Sequence, residues 1–454
     1  MRLGYHRRRV AWFGAVLKDS KRFAAQERLA PAQLARIRRA RLERLLAHAR
    51  ERSAFYRERI PAGPVALDDV PVLERAEMME RFDDLVTDPR LRRDELLEWI
   101  ETRRRDELFD DRYRVMTTSG SSGRKGLFVY DRAGWAAVGG QYLRGSAWMG
   151  LTPALPRRRL AMLGGASLTH MSTQGAASLR VGVHNVLGVP ATLPVDEQVA
   201  ALNRFRPQFL NAYPSVAMRL AEEQEAGRLR LSLTAMSTSS ELRTPAMTER
   251  LKAAFGVAPF DLYATTEGLF GNECERHDGI HLFDDASVIE NVDEQNRAVP
   301  AGTAGARLLV TNLNNLVQPI VRLAVADVVR LHPEPCPCGR SLVRVAAIEG
   351  RRDDALSLPA RGGGTVTVLP AQFSVITRDR AVREFQVRQE EGGLRVLVVA
   401  CAGAGPDLEQ RIGAAVGRAM DDLGADTRVL VERRPELARC GGKLEIVVGD
   451  SPEG

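Results

Sequence analysis

TTSGSSGRKG, residues Thr117 to Gly126, puts five hydroxyl side chains, three glycines and a lysine into ten positions. Such a stretch cannot build a core. Glycines let backbone N–H groups close around an oxyanion, hydroxyls add donors and Lys125 adds a cation, a composition suited to a polyphosphate. The same composition also fits an ordinary loop or linker. Lysine usage favours the first reading. Only Lys18, Lys21, Lys125, Lys252 and Lys443 occur, so nearly all of the 65 basic residues are arginine. Lysine is a compact point charge with rotatable donors, whereas arginine is a planar fork. Lys125, and Lys443 in CGGKLEIVVGD, both lie beside glycine and stand apart from the generic basic surface.

At 454 residues the chain exceeds what one hydrophobic core supports, so at least two domains are expected. Apolar residues at 44% and charged residues at 27% are those of an ordinary globular protein. No apolar run approaches the roughly 18 to 20 residues of a membrane span. The N-terminal MRLGYHRRRVAWFGAVLKDSKRF has a basic start and a short apolar segment, but charged residues follow Leu17 without a small-residue cleavage site. It reads as the start of an amphipathic helix, and a cytoplasmic location is expected. The net charge of +7 comes with arginines alternating with acids, as in RARLERLLAHARERSAFYRERI, where Leu42, Leu45, Leu46 and Phe55 form the opposite face of a helix. There is no nucleic-acid motif, so no nucleic-acid partner is expected. A basic surface also suits an anionic substrate.

Residues 30 to 60 and the segment PVLERAEMMERFDDLVTDP are predicted helices. The texture then changes. RRRLAMLGGAS, PQFLNAYPS, APFDLYATTEG, GARLLVTNLNN and PIVRLAVADVVRLHP are short apolar runs closed by turn residues, as strands ending in functional loops are. SVAMRLAEEQEAGRL and TPAMTERLKAAFG carry helical spacing between them. The expected fold is α/β: a large N-terminal domain of layered sheets flanked by helices, residues 1–350, and a small α+β C-terminal domain, residues 351–454. The boundary is placed at IEGRRDDALSLPARGGG, whose Arg/Asp-rich part reads as a hinge.

These pieces together resemble the adenylate-forming (acyl-CoA synthetase, AMP-binding) superfamily, in the branch of phenylacetate-coenzyme A ligase and its relatives, over roughly residues 30 to 450. TTSGSSGRKG is similar to the family's phosphate loop. The resemblance implies phosphate binding by Thr118, Ser119, Gly120, Ser121, Ser122 and Gly123, with Lys125 beside them. STSSEL resembles the adenine segment and gives Ser239, Ser240 and Glu241. DLYATTEG resembles the motif in which tyrosine stacks near adenine, threonine contacts phosphate and glutamate holds magnesium; these roles fall to Tyr263, Thr266 and Glu267. PIVRLAVAD stands where the family has a Pro-Ile-x-Arg-Tyr-Arg-x-Gly-Asp pattern. Asp327 matches the ribose-binding aspartate, while Leu323, Ala324 and Ala326 depart from it. GRRDDAL resembles the hinge motif, matched at Arg351 and Asp354, with Arg351 also placed among the nucleotide ligands. Lys443 stands in the context of the small domain's catalytic lysine.

What the resemblance implies is ATP-dependent activation of a small carboxylic acid. The carboxylate attacks the α-phosphate, pyrophosphate leaves, and a thiol such as that of coenzyme A then takes the acyl group, after the small domain swings about its hinge. A carrier-protein thiol or an amine as acceptor, and a nucleotide-binding pseudoenzyme, are the alternatives. Lys443, Thr266, Glu267 and Lys125 are the candidate catalytic residues, and Tyr213 and His170 are expected to line the acyl pocket. The oligomeric state is left open, with a dimer among the arrangements that fit.

Five cysteines without a secretion signal do not read as a disulfide framework. ECERHDGIH offers Cys274 and His277 as Cys-x-x-His, and CPCGR offers Cys336 and Cys338 as Cys-x-Cys. Two soft-ligand pairs are what a closed, structural tetrahedral zinc site needs. His277 is preferred for its short chelate spacing, with His281 the alternate fourth ligand. Free thiols are the competing reading.

Overall fold

The computed structural model describes residues 2–103, 107–118, 126–152, 154–165, 167–179, 184–401 and 403–448. The expected phosphate ligands Ser119, Gly120, Ser121, Ser122, Gly123 and Lys125 lie outside the described residues. The chain opens with the helix Arg2–Gln26, which packs along Arg132–Trp148. Two glycines bring these helices together. A Cβ on Gly139 would stand 2.9 Å from Val16, and one on Gly140 2.7 Å from Asp19. The second helix starts at Asp131, whose side chain accepts a 2.8 Å hydrogen bond from the Gly134 N–H and caps an otherwise unpaired donor.

The centre is a nine-stranded sheet. Five of its strands, Asn185–Pro190, Arg159–Gly164, Phe209–Ala212, Ala235–Ser239 and Pro259–Ala264, run parallel in that spatial order. Helices Val195–Phe205, Pro214–Glu225 and Pro245–Phe255 connect them. Phe209–Ala212 is buried at every position, as a strand covered on both faces must be. Leu210, Val216, Leu220, Met236 and Leu251 join sheet to helices, each fully buried side chain contributing about 1.5 to 3 kcal/mol. Beyond Ala264 the sheet turns antiparallel through Phe270–Glu273, Ile280–Leu282, Arg344–Arg351 and Asp327–Leu331.

Two predicted elements are corrected. PVLERAEMMERFDDLVTDP is not one helix but two short ones, Arg75–Glu80 and Phe82–Leu85, broken at Arg81. Met78, Met79, Phe82 and Leu85 all bury in the same core, and the break at Arg81 separates the first pair from the second. PIVRLAVADVVRLHP is likewise two strands. Leu323–Val325 closes a three-stranded sheet with Arg307–Asn312 and Ser287–Val292, and after Ala326 the chain enters the large sheet as Asp327–Leu331. Asp327 thus stands where the chain changes sheets.

After the turn Arg352–Asp354 the strands pair only among themselves within the described residues. Leu356–Pro359 pairs with Thr365–Val368, and Val382–Glu390, Gly393–Ala400, Arg428–Arg433 and Val447–Val448 form a four-stranded sheet covered by the helix Leu408–Asp422. Phe373, Phe385, Val396, Ile412 and Val416 make this α+β unit its own core. No helix among the described residues is long and apolar enough to cross a membrane.

Candidate active site

All five parallel strands point their carboxyl ends at one edge, where ligands of open α/β sheets bind. The loops leaving those ends border a cleft of about 1130 Å³. Ser239 ends one strand and Ser240 follows it, and Thr266 and Glu267 follow the next strand. Ser240 is held at φ 70°, a conformation costly for a residue with a Cβ and a common mark of a functional loop.

Across the cleft, Tyr263 donates a 2.7 Å hydrogen bond to Asp327 Oδ2, and Asp327 faces Arg351 in register on the neighbouring strand. Burial raises the Asp327 carboxyl above its usual range, against the opposing pull of Tyr263 and Arg351. Glu267 is 3% exposed, its carboxylate paired with Arg75 and its backbone carbonyl accepting from Asn312 at 2.8 Å. The Thr266 carbonyl accepts from the Tyr130 hydroxyl at 2.8 Å. The ends of the glycine loop are clamped beside them. Thr118 N–H donates to the Gly126 carbonyl and Gly126 N–H to the Thr118 hydroxyl, both at 3.0 Å. Arg75 comes so close that a Cβ on Gly126 would lie 2.8 Å from its guanidinium.

Lys443 reaches this cleft from the last segment of the chain. Gly441 and Gly442, at φ 57° and 86°, make the turn that presents it, closed by a pair of 3.0 Å backbone bonds between Cys440 and Lys443. Its ammonium lies 5.4 Å from the Tyr213 ring centroid. Burial lowers the Lys443 pKa, partly offset by Glu241. His170 lines the cleft nearby, its Nδ1 2.8 Å from Ser172 Oγ, with its pKa pushed down to about 4 by burial and then by Lys443. Tyr213, expected beside it, is 1% exposed and lies beneath the lysine.

Thr118, Ser239, Ser240, Glu241, Tyr263, Thr266, Glu267, Asp327, Arg351 and Lys443 therefore border one cleft. Glu241 differs from expectation in how it is used, since its carboxylate accepts from Ser215 and from the Leu444 N–H rather than standing open. The departures Leu323, Ala324 and Ala326 do not line the cleft, and Leu323 is fully buried in the core. Arg75 was not foreseen. It is one arginine among many, 192 residues from Glu267, and nothing local in the sequence singles it out.

The second cluster is Cys274, His281, Cys336 and Cys338, all buried, with their potential ligand atoms within 4.8 Å of one another. The preference for His277 is corrected. The Cys274–His277 turn places His277 at φ 51° and sends its ring onto Phe260, 4.4 Å between centroids, with Nδ1 3.2 Å from Glu273. His281, on the strand that follows, brings Nε2 to 3.5 Å from Cys338 Sγ. The donor set fits zinc: two thiolates held at about 2.3 Å from a tetrahedral ion stand about 3.8 Å apart. Cys274 Sγ and Cys336 Sγ are 3.8 Å apart. His281 Nδ1 lies 3.4 Å from the Leu342 carbonyl, a contact that fixes the tautomer leaving Nε2 as a donor atom.

No family model matches the chain. The phenylacetate-coenzyme A ligase of Thermus thermophilus is 28% identical over 376 residues, 77% of this chain and 76% of that protein. The phenylacetate-coenzyme A ligase of Aromatoleum evansii is 30% identical over 185 residues, 39% of this chain and 40% of its own. Among solved structures, 2-hydroxyisobutyryl-CoA ligase in the postadenylation state with 2-HIB-AMP superposes with a TM-score of 0.76 at 23% identity, covering 94% of this chain and 91% of that one. The same ligase in the thioesterification state, with 2-HIB-AMP and CoA, gives 0.60 at the same identity and coverage. The chain is thus similar over 77% of its length to a phenylacetate-coenzyme A ligase and shares the fold of a solved acyl-CoA ligase over 94% of its length.

Proposed function

We propose that this protein activates a carboxylic acid with ATP, forming an acyl adenylate and pyrophosphate, and then passes the acyl group to the thiol of coenzyme A. The observation that carries this reading is the convergence of Asp327, Glu267 and Lys443 on one cleft at the carboxyl edge of the parallel sheet. A carboxylate is a poor electrophile because hydroxide would have to leave; bonded to AMP, the same oxygen becomes part of a good leaving group.

Asp327, oriented by Tyr263, accepts the ribose hydroxyls. The loop clamped by Thr118 and Gly126, with Thr266, holds the phosphates. Arg75 is a fixed cation beside Glu267 and adds charge neutralisation where phosphates gather. Glu267, a buried, hard oxygen donor lining the cleft, would hold a magnesium ion, which would supply charge neutralisation there. Lys443 lies where the incoming carboxylate and the nucleotide, two anions, must meet, and its ammonium offsets their repulsion while orienting the attacking oxygen. Once AMP and acyl are joined the lysine has no further task. The residues from 351 onward are then proposed to swing as a mobile domain and open the site to the thiol. The higher TM-score against a postadenylation structure than against a thioesterification structure supports a chain whose last segment is closed over the cleft.

Trp12, Trp135, Val138, Tyr142 and Met162 also line the cleft, and a Cβ added to Gly175, another lining residue, would meet nothing within 4 Å. This supports an acid with an apolar body. Cys274, His281, Cys336 and Cys338 would hold one structural zinc, tying Ile280–Leu282 to the segment after Leu331. The test is mass spectrometry of reactions containing ATP, magnesium, coenzyme A and a panel of aryl, fatty, hydroxy and amino acids. Acyl adenylate and acyl thioester from at least one acid are expected; ATP bound without either product would leave a nucleotide-binding pseudoenzyme.

A further inference from the structure

The carboxylate of Glu241 is fully engaged by protein donors. Oε2 accepts from the Ser215 N–H at 2.9 Å, and Oε1 accepts from the Ser215 hydroxyl at 3.0 Å and from the Leu444 N–H at 2.8 Å. That last amide belongs to the peptide bond between Lys443 and Leu444. The same corner is held a second time. Arg439 Nη1 donates to Ser215 Oγ at 2.7 Å, and its Nη2 donates to Glu384 Oε1 at 2.6 Å. Gly442 lies against Ala191, where a Cβ would come within 2.8 Å of the alanine methyl. The turn Cys440–Lys443 is closed by its own pair of backbone bonds. Where its Leu444 end is held, the backbone that carries Lys443 is held at the cleft edge with it.

We propose that Glu241 is a positioning residue: it docks the Cys440–Leu444 turn onto Ser215 and the cleft edge, and so sets Lys443 for the adenylation half-reaction instead of binding nucleotide itself. This rests on the function proposed above. A carboxylate is suited to the task because it is acceptor-only and takes several donors at once. Burial raises its pKa, a cost opposed by the donors from Ser215 and Leu444. Dissolving the contact frees the lysine turn without touching the ribose or phosphate ligands, which makes it a natural point of release when the last segment swings away.

The test is Glu241→Gln, which keeps one acceptor but turns an NH₂ group toward donors that already face inward. Acid-dependent pyrophosphate release should fall about 10- to 100-fold, the loss expected when one charge-assisted bond of this kind is broken. Equilibrium binding of ATP and magnesium without acid, and transfer to coenzyme A from a supplied acyl adenylate, should each stay within about twofold of wild type, well inside the tenfold that 1.4 kcal/mol represents. Ser215→Ala, which removes only the hydroxyl bridging Glu241 and Arg439, should shift the same ratio in the same direction. A readout free of turnover is tryptic cleavage after Arg439, which docking protects and which should be faster in both variants. Parallel loss of ATP binding, equal loss of both half-reactions, or cleavage at the wild-type rate would overturn the proposal. A wild-type protein that releases no pyrophosphate with any acid refutes the parent reading instead, and the cleavage rates still decide whether Glu241 docks the turn.

Discussion

Tyr263 and Asp327 meet through a 2.7 Å hydrogen bond although their strands are separated by three others in the sheet. The curl that brings them together holds the aspartate in the orientation the proposed ribose contact needs. Asp327→Ala should weaken ATP binding about 10- to 100-fold, since each hydrogen bond to a charged group contributes roughly 1.5 to 3 kcal/mol. Tyr263→Phe, which leaves the carboxylate but frees its rotation, should cost less. Titration calorimetry checks both; unchanged affinity in Asp327→Ala would place the residue outside the site.

Lys443→Ala should abolish pyrophosphate release while leaving transfer from a supplied acyl adenylate largely intact, because in the proposed reaction the ammonium serves only where carboxylate and phosphate meet. Separate assays of the two half-reactions read this directly. Equal loss in both would assign the lysine a general structural role.

The metal cluster predicts about one equivalent of zinc per chain by elemental analysis, the ratio a single four-ligand site requires. His281→Ala and Cys336→Ser should lower both zinc content and melting temperature, because metal binding at such a site is coupled to folding. His277→Ala should retain the zinc, since its ring lies on Phe260. Adenylation should fall only in step with unfolding, because a closed site has no open position for substrate.

Arg144 is 1% exposed and makes paired bonds of 2.7 and 2.9 Å to Asp285 while stacking 3.9 Å from the Phe283 ring centroid. Arg144→Ala strands a buried carboxylate and should destabilise the fold by about 3 to 5 kcal/mol. Denaturant unfolding at pH 7 is the measurement.

His170 carries a pH prediction. Its folded pKa of about 4 lies below the ordinary 6.5, so the unfolded chain takes up the proton first. Its contribution to stability is complete above about pH 6.5 and is lost as pH falls toward 4. His170→Gln should flatten the fall of melting temperature between those values; an unchanged slope would show that His170 does not carry it.

The parts of the site that are legible in the sequence are those whose chemistry is local. A glycine loop, Thr266-Glu267, Asp327 and a lysine beside glycine each announce themselves within about ten residues, because the proposed ligand contacts need that composition at one turn. What the sequence hides are relationships between distant segments. Glu241 lies within the segment that resembles an adenine-binding one, yet its carboxylate is held by Ser215 and Leu444, the latter 203 positions away. Arg75 sits in a helix with no unusual pattern. The choice between His277 and His281 went against chelate spacing, because the turn after Cys274 rotates the nearer ring away while the strand Ile280–Leu282 delivers the farther one. The broken helix at Arg81 is of the same kind, since only the core around it decides where the helix must end.

The most direct measurement is carboxylate-dependent exchange of labelled pyrophosphate into ATP, which needs the first half-reaction to run in both directions and no acceptor at all. Exchange is expected with at least one apolar-bodied acid, none without acid, and none in Lys443→Ala. ATP binding of ordinary affinity with no exchange across aryl, fatty, hydroxy and amino acids would contradict the proposed function.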